Sequence, residues 1–117
     1  MAATKESLVK KAVHAVLKSY GAYAVNYIGG QYANAGTPDI LACYQGHFLG
    51  IECKAGRGKL TQLQFKNLRD IHDAGGVALV INESNRTYLD GALMCIKMAG
   101  FAESNYKDFE PKAMEVE

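Results

Sequence analysis

The chain contains no tryptophan, only two prolines and only three cysteines. Cys43, Cys53 and Cys95 are odd in number and show no Cys-x-x-Cys spacing, so we expect reduced thiols, mostly at inward positions. The three histidines form no zinc-like cluster. No stretch approaches the roughly 20 apolar residues of a membrane span, and residues 1–11 lack a signal-peptide core. These absences predict a cytoplasmic protein that does not associate with a membrane.

Length and charge indicate one soluble globular domain. Its 117 residues suffice for a single core, 49% of them are apolar, and the net charge is +1. We expect the domain to span residues 1–117, with its core at about 4–100. Residues 53–69 contain five bases and no acid, which favours a polyanionic partner. Residues 101–117 contain five acids against two lysines, which predicts a solvated or weakly ordered acidic tail.

Periodicity and turn residues predict seven elements in the order α-β-β-β-α-β-α. The expected helices cover residues 5–20, 61–75 and 87–99, and the expected strands cover 22–28, 38–44, 47–54 and 77–81. The first three strands follow one another and a helical crossover leads to the fourth, which is apolar throughout, as in a strand buried on both faces. The fold class is therefore α/β, a mixed four-stranded sheet with helices on both faces.

The second and third strands form a hairpin that brings two acids together. A two-residue turn at 45–46 places Asp39 directly opposite Glu52. Facing side chains have Cβ atoms roughly 4.5–5.5 Å apart, and facing like charges destabilise a sheet. The neighbouring pairs are apolar on both faces, so a divalent cation is the expected compensation. Lys54 points to the same side as Glu52. The alternative is a Pro-Asp turn, an edge glutamate and a solvated lysine, none with a role.

Pro38-Asp39 followed by Glu52-Cys53-Lys54 resembles the PD-(D/E)xK nuclease motif. The longer runs 36–40, 50–54 and 58–64 are similar to the virus-type replication–repair nuclease (VRR-NUC) branch, and the resemblance covers roughly residues 6–81. It implies a restriction-endonuclease-like core and a DNA endonuclease that requires Mg²⁺ or Mn²⁺ and no nucleotide cofactor. Products would carry 5′-phosphate and 3′-hydroxyl ends. Small stand-alone members of this branch look like phage-type homodimers that cut branched DNA such as four-way junctions in the host cytoplasm.

The motif also implies roles for its residues. Asp39 and Glu52 would bind the metal, with the backbone carbonyl of Cys53 as a third oxygen. Lys54 would place or deprotonate the attacking water, or offset charge on the phosphate.

Two further residues have competing interpretations. The resemblance implies that Gln64 lies near the metal and orients water or a phosphate oxygen, but Gln64 also fits a capping box with Thr61. Glu6 would be an outer metal ligand by resemblance, or simply an acid favoured in a first helical turn.

Basic side chains after the motif are candidates for DNA contact. Arg57 and Lys59 lie among glycines in a loop that could bind phosphates, or that could be an ordinary polar loop. Lys66 on the following helix is a further candidate. Three tyrosines could stack on bases, although core or rim packing is the expected role of each: Tyr27, Tyr32 and Tyr44.

Two rival functions and a dimer complete the expectations. A non-catalytic nucleic-acid-binding module could keep this fold, but the intact acids and lysine argue against it. A metal-independent RNA endonuclease would need a general acid–base set, and His47 lies remote at the hairpin tip.

The last helix carries Met94 and Met98 outside its core-facing stripe, with Tyr88 nearby, which predicts a homodimer surface. Alternatively, residues 101–109 fold back over that surface.

Overall fold

A computed structural model describes residues 4–29 and 34–111. The predicted order of elements is confirmed, with ends that shift by up to two residues. The elements are α1 (Lys5–Tyr20), β1 (Tyr23–Asn26), β2 (Ile40–Tyr44), β3 (His47–Cys53), α2 (Gln62–Asp73), β4 (Val77–Ile81), α3 (Arg86–Ala99) and a 3₁₀ turn, η1 (Tyr106–Phe109). Tyr32, a stacking candidate, lies outside the described residues. Within those residues no helix combines the length and apolarity that crossing a membrane requires.

The strands form one sheet in the order β1-β2-β3-β4. The first three are antiparallel, and β4 runs parallel to β3 after the crossover through α2. The hairpin register is the predicted one, from Tyr44 opposite His47 to Ile40 opposite Ile51. Gln45 has φ 50° and Gly46 has φ 81°, as a tight two-residue hairpin turn requires. The predicted mixed four-stranded sheet is therefore confirmed.

Helices cover the two faces of the sheet unequally. α1 and α3 bury the larger core on one face, and α2 with η1 buries a smaller core on the other. Because side chains alternate along a strand, Ile51 and Cys53 point into the larger core. Glu52 lies between them and therefore points to the face of α2.

Helices were predicted on both faces of the sheet, but at the tip of the β2–β3 hairpin one face has no covering helix. α2 packs against β3 and β4 and leaves β1 and the outer part of β2 open. Tyr23 is 71% exposed and Phe48 45% exposed, on either side of Cys43 in the same cross-strand row. The prediction of mostly inward cysteines is also wrong: Cys43 lies on this open face, Cys95 is exposed on α3, and only Cys53 is buried.

The expected solvated tail does not hold at Asn105 and Tyr106, which are buried. The side chain of Asn105 accepts from the Val80 backbone N–H at 2.7 Å and donates to the Val80 carbonyl at 2.9 Å. Tyr106 is buried against Leu68 and Val80. The asparagine amide thus satisfies the free edge of β4, as a neighbouring strand would. Of the apolar surface on α3, Tyr88 donates to the Glu103 carbonyl at 3.0 Å, whereas Met94 and Met98 stay exposed.

Candidate active site

The two predicted acids meet where β2 begins and β3 ends. One residue beyond the pair Ile40–Ile51, the register reaches Asp39 and Glu52. Asp39 Oδ2 accepts the backbone N–H of Cys53 at 2.9 Å, which holds its carboxylate at the end of β3. Asp39 also acts on Glu52 through a side-chain hydrogen bond and through its charge. The structure therefore brings the two carboxyl groups together as the hairpin register predicted.

Glu52 is the most perturbed acid of the site. Its side chain is 3% exposed. Burial, followed by the hydrogen bond and the negative charge of Asp39, raises the pKa of Glu52 to about 9, against a smaller lowering by Lys54. Among the described residues, Glu52 Oε2 is the buried side-chain oxygen that has no hydrogen-bond partner. A buried carboxylate oxygen without a donor, beside a second acid, is costly unless a cation or a proton compensates it.

The donor set fits a hard divalent cation. The carboxylates of Asp39 and Glu52 offer only oxygen, which Mg²⁺ and Mn²⁺ prefer, and such ions retain several waters. Burial raises the pKa of the Cys53 thiol to about 12, and the thiol points into the larger core, away from the face of Glu52. Residue 53 could thus contribute its carbonyl oxygen but not a thiolate. In the described part of the chain there is no cluster of three or more histidine, cysteine or acidic side chains.

A lysine that the motif did not include lies beside Asp39. Lys10 Nζ is 3.7 Å from Asp39 Oδ1. Lys10 follows Glu6 by one helical turn of α1, so the two side chains share a face. Glu6 is exposed and raises the pKa of Glu52 through its charge. Glu6 therefore lies near the acids, and its role as an outer ligand stays a prediction. In the sequence, only the i, i+4 spacing from Glu6 could have indicated that Lys10 lies near the acids.

The capping-box interpretation of Gln64 is confirmed, and its role beside a metal stays a prediction. Its Oε1 accepts the Thr61 backbone N–H at 3.0 Å, and its own N–H donates to Thr61 Oγ1 at 3.1 Å, which completes the predicted capping box. The same Oε1 accepts a hydrogen bond from Lys54 Nζ at 2.9 Å. The start of α2 therefore positions the ammonium group of the motif lysine.

The glycine-rich loop after Lys54 is attached to the end of β4. The backbone N–H of Gly56 donates to both carboxylate oxygens of Glu83, at 2.8 and 3.2 Å. The pKa of Glu83 is lowered, first by its own backbone N–H and then by that of Gly56. Arg57 and Lys59 on this loop are exposed. Glu83 had no sequence signal, because its partner lies 27 residues away.

The remaining candidates are distributed away from the acids. Lys66 on α2 forms an ion pair with Asp70 at 2.9 Å, so its charge is already partnered on an exposed surface. His47 lies at the opposite end of the hairpin from Asp39, which agrees with its expected remoteness. Tyr44 is buried in the core, so base stacking by Tyr44 is excluded in this structure. The hydroxyl oxygen of Tyr27 accepts the backbone N–H of Asn34 at 2.9 Å, which is a local structural role.

No protein-family model and no curated protein matches this sequence. Among solved structures, Hjc is similar, a Holliday junction resolvase from the archaeal hyperthermophile Archaeoglobus fulgidus. The two share a TM-score of 0.53 and 21% identity over 65% of this chain and 66% of that one, just under two thirds of its length. At this identity the likeness establishes the fold. The mixed four-stranded α/β fold expected from the resemblance is confirmed, and Hjc shares it.

Proposed function

We propose that this protein is a divalent-metal-dependent DNA endonuclease that hydrolyses phosphodiester bonds. One observation carries the proposal: the partnerless buried oxygen of Glu52 beside the carboxylate of Asp39. A structural acid pair would be expected to have hydrogen-bond donors around it. Mg²⁺ or Mn²⁺ would be held by Asp39 and Glu52, with the carbonyl of Cys53 as a third ligand and Glu6 as an outer one.

A cation bound there supplies stabilisation of negative charge on the phosphate and lowers the pKa of water. Lys54 lies on the same side of β3 as Glu52 and is held by Gln64. Its ammonium group orients the attacking water or offsets the charge that develops on the phosphate oxygens. Gln64 fixes the lysine and can direct a water through its amide. Lys10 offsets the charge of Asp39 when no other cation is present.

Branched DNA such as a four-way junction is the proposed substrate. The fold likeness to a protein described as a Holliday junction resolvase supports this choice, as does the VRR-NUC resemblance of residues 36–64. The exposed bases of the loop, Arg57 and Lys59, supply sequence-independent phosphate contacts. The three unpaired cysteines fit a reducing compartment such as the cytoplasm.

A homodimer is proposed to act on this substrate, since a two-fold pair would present two sites to a symmetric junction. The outer stripe of α3 supports it, because Met94 and Met98 are exposed, the latter by 76%. Exposed apolar stripes on soluble domains are commonly partner surfaces.

Cleavage assays test the proposal directly. Linear, flap and four-way-junction DNA of matched sequence are incubated with Mg²⁺, Mn²⁺ or EDTA, with the Asp39→Asn and Glu52→Gln variants as matched inactive controls. We expect cutting of the junction with metal only, to ends that a ligase can rejoin, and none by either variant. Binding without cutting under every condition would favour the non-catalytic module. Equal cutting of all three shapes would contradict the branched-DNA preference.

A further inference from the structure

Two cations occupy helix positions that disfavour them. Lys5 is the first residue of α1 and Arg86 is the first residue of α3. The first turn of a helix carries partial positive charge and favours acids. α3 has no acid in its first turn. Local helix stability therefore explains neither residue, and such local conflicts are expected at functional positions.

Both cations face the same cleft, although they are 81 residues apart in sequence. The cleft has a volume of about 470 Å³. It is lined by residues from α1, from the glycine-rich loop, from the end of β4 and from the start of α3: Lys5, Leu8, Val9, Gly56, Glu83 and Arg86. A space of this size accommodates a phosphate group with its attached sugar.

The cleft lies at the same end of the sheet as the carboxylate site. The chain leaves β3 at Cys53 and reaches Gly56, and it leaves β4 at Ile81 and reaches Glu83, so the cleft lies beyond the carboxyl ends of the two parallel strands. In open α/β sheets, ligands bind outside these strand ends. On α1, Lys10 directly follows Val9 of the cleft and reaches Asp39 of the acid pair.

The charges of the cleft favour an anion. Lys5 and Arg86 face one acid, Glu83, so the lining keeps a net positive charge although the charge of Lys5 also acts on Glu83 and lowers its pKa, after the backbone N–H groups of Glu83 and Gly56. Within residues 4–29 and 34–111, neither cation forms a salt bridge; the ion pairs there involve Lys10 and Lys66. Both side chains are exposed. Arg86 offers a planar fork of donors suited to phosphate oxygens, and Lys5 offers a mobile point charge.

We propose that this cleft binds a backbone phosphate of the DNA substrate, next to the phosphate at the acid pair. The proposal rests on the proposed function and deepens it. A DNA strand that passes the acid pair continues past Lys10 into the cleft, where Lys5 and Arg86 hold it from the two helix starts. Glu83 anchors the glycine-rich loop, which lies between the acid pair and the cleft.

The test compares each cation with a lysine at the other end of its own helix. Lys5→Ala is paired with Lys18→Ala, and Arg86→Ala with Lys97→Ala, since both control lysines are exposed in the last turn. Binding to four-way-junction DNA is measured in EDTA, where no cleavage occurs, across 50–200 mM salt. Removing one cation from a phosphate should make the plot of log affinity against log salt concentration shallower by about 0.9. The ratio of the affinity at 50 mM salt to that at 200 mM salt should therefore be about threefold smaller than in the wild type. The control slopes should equal that of the wild type.

Thermal stability provides a second readout with opposite signs. Lys5→Ala and Arg86→Ala should leave the Tm unchanged or raise it, because each removes a charge from the wrong end of a helix dipole. Weaker DNA binding by a variant of undiminished Tm then shows that the side chain acts on the DNA and not on folding.

The outcomes separate the cleft from the nuclease. Phosphate binding by the cleft is contradicted if both cleft variants keep the wild-type salt slope. It is also contradicted if the control variants lose as much slope as the cleft variants. If the wild type cuts DNA while the cleft variants keep the wild-type salt slope, only phosphate binding by the cleft is contradicted. If the cleft variants have the expected shallower salt slopes but the wild type cuts no DNA with metal, only the proposed endonuclease activity is contradicted. A wild type that binds no DNA overturns both.

Discussion

Lys54 Nζ donates a hydrogen bond to Gln64 Oε1 at 2.9 Å, across ten residues of sequence. The same oxygen completes the cap of α2 by accepting the Thr61 N–H. The residue that starts the helix thus also restrains the motif lysine. Helix capping and catalysis would be coupled through one amide, and substitutions at Gln64 can separate them.

Gln64→Glu should preserve the fold and impair the chemistry. Glutamate is a usual partner in a capping box, so the free energy of unfolding should stay within about 0.5 kcal/mol. The added charge would pair with Lys54 and lower single-turnover cleavage by about tenfold or more. Gln64→Ala should also lose the hydrogen bond from the Thr61 N–H, at about 0.5–1.5 kcal/mol, while the bond from the residue 64 backbone N–H to Thr61 Oγ1 remains. Urea denaturation and single-turnover rates check both; full cleavage by Gln64→Glu would leave Gln64 with a capping role only.

Lys54→Ala should lower the cleavage rate by about 10²–10⁴-fold while changing DNA affinity little. The reason is that its ammonium acts on charge that develops in the transition state. Single-turnover rates with Mg²⁺ and binding in EDTA measure the two effects, with Lys97→Ala on the far end of α3 as the control. A loss confined to affinity would instead make Lys54 a phosphate-binding residue like Arg57.

The metal-free protein should become less stable as pH rises from about 4.5 towards 9. The folded state keeps a proton on Glu52, whose pKa is raised from 4.5 to about 9, while the unfolded state releases it. The free energy of unfolding should therefore fall by up to about 1.4 kcal/mol per pH unit. Glu52→Gln should remove this slope and be more stable at neutral pH.

Urea denaturation in EDTA across pH 5–9 measures this effect. Glu103→Gln, which neutralises an exposed acid, is the matched control and should keep the slope of the wild type. Added Mg²⁺ should stabilise the wild type increasingly with pH, because the cation and the proton compete for the same carboxylate. A wild type whose stability does not change over this range would show that Glu52 ionises normally.

Arg57→Ala and Lys59→Ala should each weaken binding to linear, flap and junction DNA about equally. Phosphates carry no shape or sequence information, so the log–log salt slope should fall by about 0.9 for each phosphate that loses its cation. Titrations in EDTA at several salt concentrations measure the slopes, again beside Lys97→Ala. Slopes that stay at the wild-type value in both variants would mean that the loop faces away from DNA.

Met94→Glu combined with Met98→Glu should convert a dimer into a monomer, because buried charge at an apolar interface is costly. Light scattering measures the mass, and junction cutting should fail together with dimerisation. Phe48→Glu, on the open face near the hairpin tip, is the comparison variant. A monomeric wild type would rule out the dimer. A double mutant that stays dimeric while Phe48→Glu dissociates would move the interface to the sheet.

Local patterns were enough to predict the parts of the site that neighbouring chain segments build. A two-residue turn determines the pairing of a hairpin, so the meeting of Asp39 and Glu52 could be read from spacing alone. The capping box of Thr61 and Gln64 spans three residues and depends only on the start of a helix. The order of helices and strands follows from periodicity for the same reason.

Only the tertiary structure decided which distant groups join the site and which surfaces stay open. The approach of Lys10 to Asp39, the bond from Gly56 to Glu83 and the seating of Asn105 on β4 join segments 25 to 29 residues apart. Phe48 is exposed although α2 packs against its strand, β3, and the residue types in the hairpin do not encode which part of that strand the helix leaves open. Periodicity identifies the apolar face of an element, whereas the packing of the whole chain determines what covers that face.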